Sequence, residues 1–185
     1  MTIEPILFTD KQGRRVELRA AELKDASTLI EYLKVTSAET PYLIREPDEI
    51  TISVENEEKF IQEKIDSERE LMLIALVDEK HVGNCSLMNL SKYRRYMHRC
   101  EVAIALYKDF CGCGIGKRML ETVLTIAAEF GYEQAELEVV ADNTNAIALY
   151  EKIGFQKFGI FPDNIKLPDG TYKDAYWMMK KLKNK

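Results

Sequence analysis

Between an apolar run, Val102 to Leu106, and an amphipathic helical pattern lies the stretch Lys108-Asp-Phe-Cys-Gly-Cys-Gly-Ile-Gly-Lys-Arg118. Gly112, Gly114 and Gly116 alternate through it. A strand that turns into a helix over so short a span leaves backbone N–H groups pointing into the turn, and glycine keeps side chains out of their way. The helix adds its unpaired N-terminal amides and the positive end of its dipole. Together these make an anion site suited to phosphate. Lys117 and Arg118 place further positive charge in the first helical turn.

Spacing argues against two versions of such a site. A P-loop requires G-x-x-x-x-G-K-[ST]. Gly112 to Gly116 is one residue too short for it, and Arg118 stands where a magnesium-binding Ser or Thr belongs. A dinucleotide fingerprint requires G-x-G-x-x-G, and here its third glycine would fall at Lys117. A nucleotide-binding protein is therefore disfavoured. Alone, the stretch reads equally well as a flexible turn at a helix start, so a second motif has to decide.

A chain of 185 residues suits one domain, 1–185, with a proper core. The formal net charge of −5 argues against a general nucleic-acid binder and is compatible with a cationic acceptor such as an amine. Cys85, Cys100, Cys111 and Cys113 form neither a C-x-x-C pair nor a zinc pattern, so no metal site is expected. Reduced thiols in a cytoplasmic protein are the default. No apolar run approaches membrane-spanning length and no signal-peptide pattern opens the chain, so no membrane association is expected.

Ile6 to Phe8 and Val16 to Arg19 flank a turn containing Gly13 and read as two short strands. Asp25 to Val35 is helical in pattern, with Asp25 as a candidate cap. Ser53 is placed to cap a second helix with Phe60, Ile61 and Ile65 on one side. Residues 36–58, with the hairpin loops, are expected to line the acceptor pocket. The acidic run through Glu46, Asp48, Glu49, Glu55, Glu57 and Glu58 reads as solvated surface. Leu71 to Val77 is apolar on both faces, the pattern of a central buried strand, and Val82 to Leu90 returns from it. Ser91 to Arg99, basic with Tyr93 and Tyr96 interleaved, reads as a solvated loop, with His98 a secondary candidate for a base.

The strand from Cys100 to Leu106 has two unlike faces. Cys100, Val102, Ile104 and Leu106 are apolar and expected to pack inward; Glu101, Ala103 and Ala105 leave an open track beside a carboxylate. A helix from Ile115 to Phe130 and a strand from Gln134 to Ala141 follow, so the two strands should be parallel, joined by a right-handed crossover. Pro168-Asp169-Gly170 signals a final hairpin, and Lys180, Lys181, Lys183 and Lys185 form a basic tail.

The deciding motif is Asn143-Thr-Asn-Ala146-Ile-Ala-Leu-Tyr150-Glu-Lys-Ile-Gly154-Phe155. It resembles the signature N-x-x-A-[IV]-x-L-Y-x-[KR]-x-G-F of the GNAT N-acetyltransferase superfamily. The glycine stretch, Cys111-Gly112-Cys113-Gly114-Ile115-Gly116, resembles that family's acetyl-coenzyme A loop, [QR]-x-x-G-x-[GA], except that Cys111 replaces Gln or Arg. The two motifs stand in the family's order. The resemblance implies an α/β (α+β) fold: a mixed, mostly antiparallel sheet of six to seven strands with a splayed parallel pair, flanked by about four helices.

The resemblance also implies a function: transfer of an acetyl group from acetyl-CoA, a co-substrate, to a primary amine in a ternary complex. The acceptor would be a small molecule or a peptide, and a homodimer is compatible. Cys111, Gly112, Cys113, Gly114, Ile115, Gly116 and Lys117 would bind the pyrophosphate. Ile104, Ala105 and Leu106 would pair with the pantetheine arm, and Asn143, Ala146 and Tyr150 would flank it. An ammonium is not a nucleophile, so a base must take its proton. Glu101 matches a glutamate used this way in family members, and Tyr150 would protonate the leaving thiolate. A backbone N–H near Leu106 would face the developing oxyanion. Cys111 would cost the loop one side-chain contact. Nearby cations and the helix end would favour its thiolate, or that of Cys113. The competing expectation is a coenzyme A-binding regulatory or sensor domain without turnover.

Overall fold

The computed structural model describes residues 1–182; Lys183 and Lys185 of the basic tail lie outside them. Eight strands form one sheet in the order β1-β2-β3-β4-β5-β6-β8-β7. They are β1 (Ile6–Thr9), β2 (Arg15–Ala20), β3 (Leu71–Val77), β4 (Lys80–Asn89), β5 (Arg99–Leu106), β6 (Gln134–Val140), β7 (Gln156–Lys166) and β8 (Tyr172–Lys181). The helices are α1 (Ala26–Glu39), α2 (Val54–Asp66), α3 (Ile115–Glu129) and α4 (Thr144–Ile153). Every neighbouring pair is antiparallel except β5–β6. Both arms of the N-terminal hairpin pair into the sheet, which brings it to eight strands rather than six to seven.

The continuous apolar run of β3 serves two cores. Leu71, Leu73, Ala75 and Val77 join a large cluster with Ile115, Met119 and Val123 of α3 and with Ile147 and Tyr150 of α4. Met72 and Ile74 face the other way, against Ala26, Leu29 and Tyr32 of α1 and Ile61 of α2. At β3 the sheet is therefore covered on both faces, and burial of a side chain such as Ile61 contributes about 1.5–3 kcal/mol.

Two local expectations change. Ser53 does cap α2, accepting from the Asn56 N–H at 3.3 Å. Phe60, however, points outward beneath the Lys64 ammonium, 4.9 Å from its ring centre. Glu57 shares the inner face with Ile61, one turn away, and is buried in its place. Asp25 sits at the start of α1 but does not cap it. Its carboxylate turns back to accept from both Arg19 Nη atoms, at 2.7 and 2.8 Å, and from the Glu22 N–H.

Candidate active site

β5 and β6 stay together for three register positions only: Arg99↔Gln134, Cys100↔Ala135 and Glu101↔Glu136. From Val102 onward β5 has no strand partner on the β6 side, whereas on its other edge it remains paired with β4 as far as Gly83↔Leu106. The strands therefore part into a gap that begins at Glu101. Ala103 is exposed along it, and Ile104, Ala105 and Leu106 are half-buried.

The glycine loop closes on one end of this gap. Gly114 has φ +94°, a left-handed conformation that a side chain disfavours, and serves as the residue before α3. At Gly116 a Cβ would lie 3.1 Å from Leu106 Cδ1, so the first turn of α3 packs directly on the end of β5. Ile115 and Cys113 are buried behind the loop. Lys117 pairs with Glu121 at 3.4 Å, one turn along α3. The loop also gains a neighbour that sequence reasoning missed. The Lys11 N–H in the β1–β2 turn donates to the Cys113 carbonyl at 3.0 Å, and the Lys11 side chain runs 3.6 Å from where a Gly114 Cβ would be. Only the fold brings Lys11 and Gly114 together; neither has a local sequence signal for it.

Cys111 is exposed, its Sγ donating to the Tyr107 carbonyl at 3.6 Å. Partial desolvation, then Glu39 and Cys113, push its thiol above the ordinary range. Burial, more than the Glu39 carboxylate at the end of α1, thus holds Cys111 as a thiol, in keeping with a small inert residue filling the turn. Glu39 also accepts from the Lys108 N–H at 2.8 Å, tying α1 to the loop.

Where the strands part, a cavity of about 330 Å³ opens beside Glu101. Arg99, Glu136, Glu138, Phe158 and Trp177 bound it. Arg99 grips Glu136 with both arms, its Nη2 donating to Oε2 at 2.5 Å and its Nε to Oε1. Glu138 Oε1 accepts from Asn164 Nδ2 at 2.6 Å and Oε2 from the Trp177 indole at 3.2 Å. Phe158 stacks on Trp177 with ring centres 6.0 Å apart. Glu101 has no hydrogen-bond or ion-pair partner among the described residues. Desolvation first, then the Glu138 and Glu136 charges, raise its pKa. A half-buried, unpartnered carboxylate whose pKa is raised is a stronger base than an ordinary one.

Tyr150 packs in the large core, edge-on to Phe155 at 6.0 Å, within the cluster that also takes Ile104 and Leu106. Its hydroxyl makes no hydrogen bond among the described residues, and burial raises its pKa well above normal, so it keeps its proton at any working pH. Asn143 caps α4 through its Oδ1, which accepts from the Ala146 N–H at 3.3 Å. His98 is exposed on the loop before β5 and does not bound the cavity. Residues 36–58 do not bound it either; its lining comes from β5, β6, the final hairpin and Leu90. The alternation of Glu136 and Glu138 with Ala135, Leu137 and Val139 was a readable signal for an acidic face on β6. A larger groove of about 440 Å³, between the outer faces of α3 and α4, carries none of the expected site residues.

The family model described as the acetyltransferase (GNAT) family matches residues 34–155. Two curated relatives differ in extent. An uncharacterised Mycobacterium leprae protein is 37% identical over 75 residues, 40% of this chain and only 19% of that protein's length. The N-alpha-acetyltransferase of Saccharolobus solfataricus is 26% identical over 183 residues, 92% of this chain and 96% of that protein. Among solved structures, an acetyltransferase of the GNAT family from Streptococcus pneumoniae superposes with a TM-score of 0.86 at 28% identity, covering 90% of this chain and 99% of that one. The yncA protein of Salmonella typhimurium, solved with its cofactor acetyl-CoA, gives 0.81 at 16% identity, covering 92% and 95%.

Proposed function

The chain belongs to the acetyltransferase (GNAT) family, and from that premise we propose that it is an N-acetyltransferase using acetyl-CoA as co-substrate and a primary amine as acceptor. The observation that carries the reading is the parting of β5 and β6 immediately after Glu101, with the glycine loop at the far end of the free strand. The cradle fits the co-substrate. Gly112 and Gly114 take positive φ, and the first turn of α3 offers unpaired amides to a pyrophosphate. The bound Salmonella relative supports the choice of acetyl-CoA, and the Saccharolobus relative supports an amine acceptor.

Acetyl-CoA supplies the acyl group as a thioester. Gly112, Cys113, Gly114, Ile115, Gly116 and Lys117 hold its phosphates, with Lys11 adding a cation, and Ile104 and Leu106 present free backbone to its arm, the Ala105 carbonyl being taken by the Tyr32 hydroxyl. Asn143 keeps the start of α4 in place, and with it Tyr150, which packs in the cluster that also takes Ile104 and Leu106 of the free strand. Glu101 takes the proton of the incoming ammonium, freeing the nitrogen lone pair. Tyr150 holds a proton for the departing thiolate. No cysteine nucleophile is needed for direct transfer. A regulatory coenzyme A-binding domain would have no use for an unpartnered Glu101, which favours the enzyme.

The test is thiol release from acetyl-CoA across a panel of amino acids, peptides, polyamines and aminoglycosides. Amine-dependent release that Glu101→Gln reduces is expected. Coenzyme A binding without turnover on any amine would favour the sensor domain.

A further inference from the structure

The cavity beside Glu101 is unequal in charge. Three carboxylates, Glu101, Glu136 and Glu138, face it, against one guanidinium, Arg99. The charge of that guanidinium is matched by Glu136, which takes its Nε and Nη2 in a two-armed pair. Asn164 and Trp177 hold Glu138 by neutral donors, and among the described residues no cation lies within ion-pair distance of it. Glu101 is also without a cation among the described residues. An acceptor entering here therefore meets two uncompensated carboxylates, the indole and phenyl rings of Trp177 and Phe158, and, among the described lining residues, no cation without a carboxylate partner.

We propose that this site selects amines that bear no free carboxylate near the reacting nitrogen, and rejects free α-amino acids. The proposal rests on the acceptor reading above and deepens it. An ammonium is attracted by Glu101 and Glu138 and can lie against the indole face. An α-carboxylate, bonded to the carbon next to the nitrogen, is carried into the same pair of charges. At a separation of about 6 Å and an effective dielectric constant near 20, one such repulsion corresponds to roughly 100-fold in an equilibrium constant. An amide in the same place carries no charge, so a blocked amino acid or a peptide terminus escapes the penalty. Specificity of this kind comes from repulsion of the wrong partner.

The experiment compares alaninamide with alanine and phenylalaninamide with phenylalanine as acceptors for the wild-type protein, by thiol release from acetyl-CoA. Rates are expressed per free amine, because a neighbouring carboxylate raises the pKa of the ammonium and would otherwise mimic the effect. The amide is expected to be favoured by roughly 100-fold in kcat/KM. Glu138→Gln, which keeps the shape of the side chain, should narrow the ratio, and Glu138→Lys should narrow it further. Equal kcat/KM for acid and amide, or a ratio unmoved by both variants, would overturn the proposal while leaving amine acetylation intact. Absence of amine-dependent thiol release from every acceptor would instead overturn the acceptor reading, and this proposal with it.

Discussion

Glu101 and Glu136 face each other at the last register position that β5 and β6 share. One is neutralised by Arg99; the other is left without a partner at the edge of the gap. Because the Glu138 charge helps raise the Glu101 pKa, the acidic limb of kcat/KM should report Glu101, and Glu138→Gln should move that limb to lower pH. A base with a lowered pKa stays ionised further into acid. An acidic limb that does not move in the variant would separate Glu101 from it.

Glu101→Gln should lower turnover by about 10²–10⁴-fold near neutral pH, with coenzyme A affinity retained. The loss should shrink as pH approaches the pKa of the amine, where the acceptor arrives already deprotonated. Isothermal titration with coenzyme A and a full pH–rate profile check both halves. A uniform loss at all pH values would assign Glu101 to binding rather than to proton transfer.

Tyr150→Phe should lower kcat more than it weakens coenzyme A binding, because it removes a hydroxyl with no hydrogen-bond partner among the described residues while leaving the ring against Phe155. The fold should be unaffected, since no buried group loses a hydrogen bond. If the kcat of the variant equalled that of the parent at every pH, the thiolate would have to take its proton from elsewhere.

Gly114→Val should abolish coenzyme A binding for two separate reasons. A β-branched residue at φ +94° costs about 1–3 kcal/mol in backbone strain, and its side chain meets Lys11 where the loop should stay open. Binding measured on the folded variant by calorimetry decides; affinity equal to the parent would remove the loop from the cofactor site.

His81 gives a stability prediction. It is buried, its Nε2 paired with the Gly83 carbonyl at 3.0 Å and its ring 4.7 Å from Tyr32. Desolvation, the largest influence, lowers its pKa despite the nearby Asp25 carboxylate, which is already held by Arg19. The folded protein thus binds fewer protons than the unfolded chain, and stability falls as pH drops below the ordinary histidine value of about 6.5. Thermal melts between pH 5 and 8 should show this slope, and His81→Gln should flatten it.

The order of strands and helices was legible because apolar periodicity and turn residues are local properties. The Leu71–Val77 run announced a strand buried on both faces, and Ser53 announced the start of α2. The glycine loop and the motif around Tyr150 were legible for the same reason. Relations between distant segments were not. The bond of the Tyr32 hydroxyl to the Ala105 carbonyl, at 2.7 Å, joins residues far apart in sequence. The acidic face of the cavity depends on the register of β6 against β5, which no single segment encodes. Phe60 was misread because α2 turns Ile61 and Glu57 inward and leaves Phe60 on the outer side, under Lys64.

The short β5–β6 ladder has a mechanical consequence. The sheet amounts to two plates, β1 to β5 and β6-β8-β7, hinged on three rungs at one end and bridged by the crossover helix. Beyond the hinge, nothing in the sheet itself braces one plate against the other. A molecule long enough to lie down the opening would act as a wedge and a strut at once, fixing the angle between them. In its absence the amides from Val102 to Leu106 that face the opening should exchange with solvent quickly. In its presence they should slow together, along the whole free edge, as a rigid joint replaces a hinge.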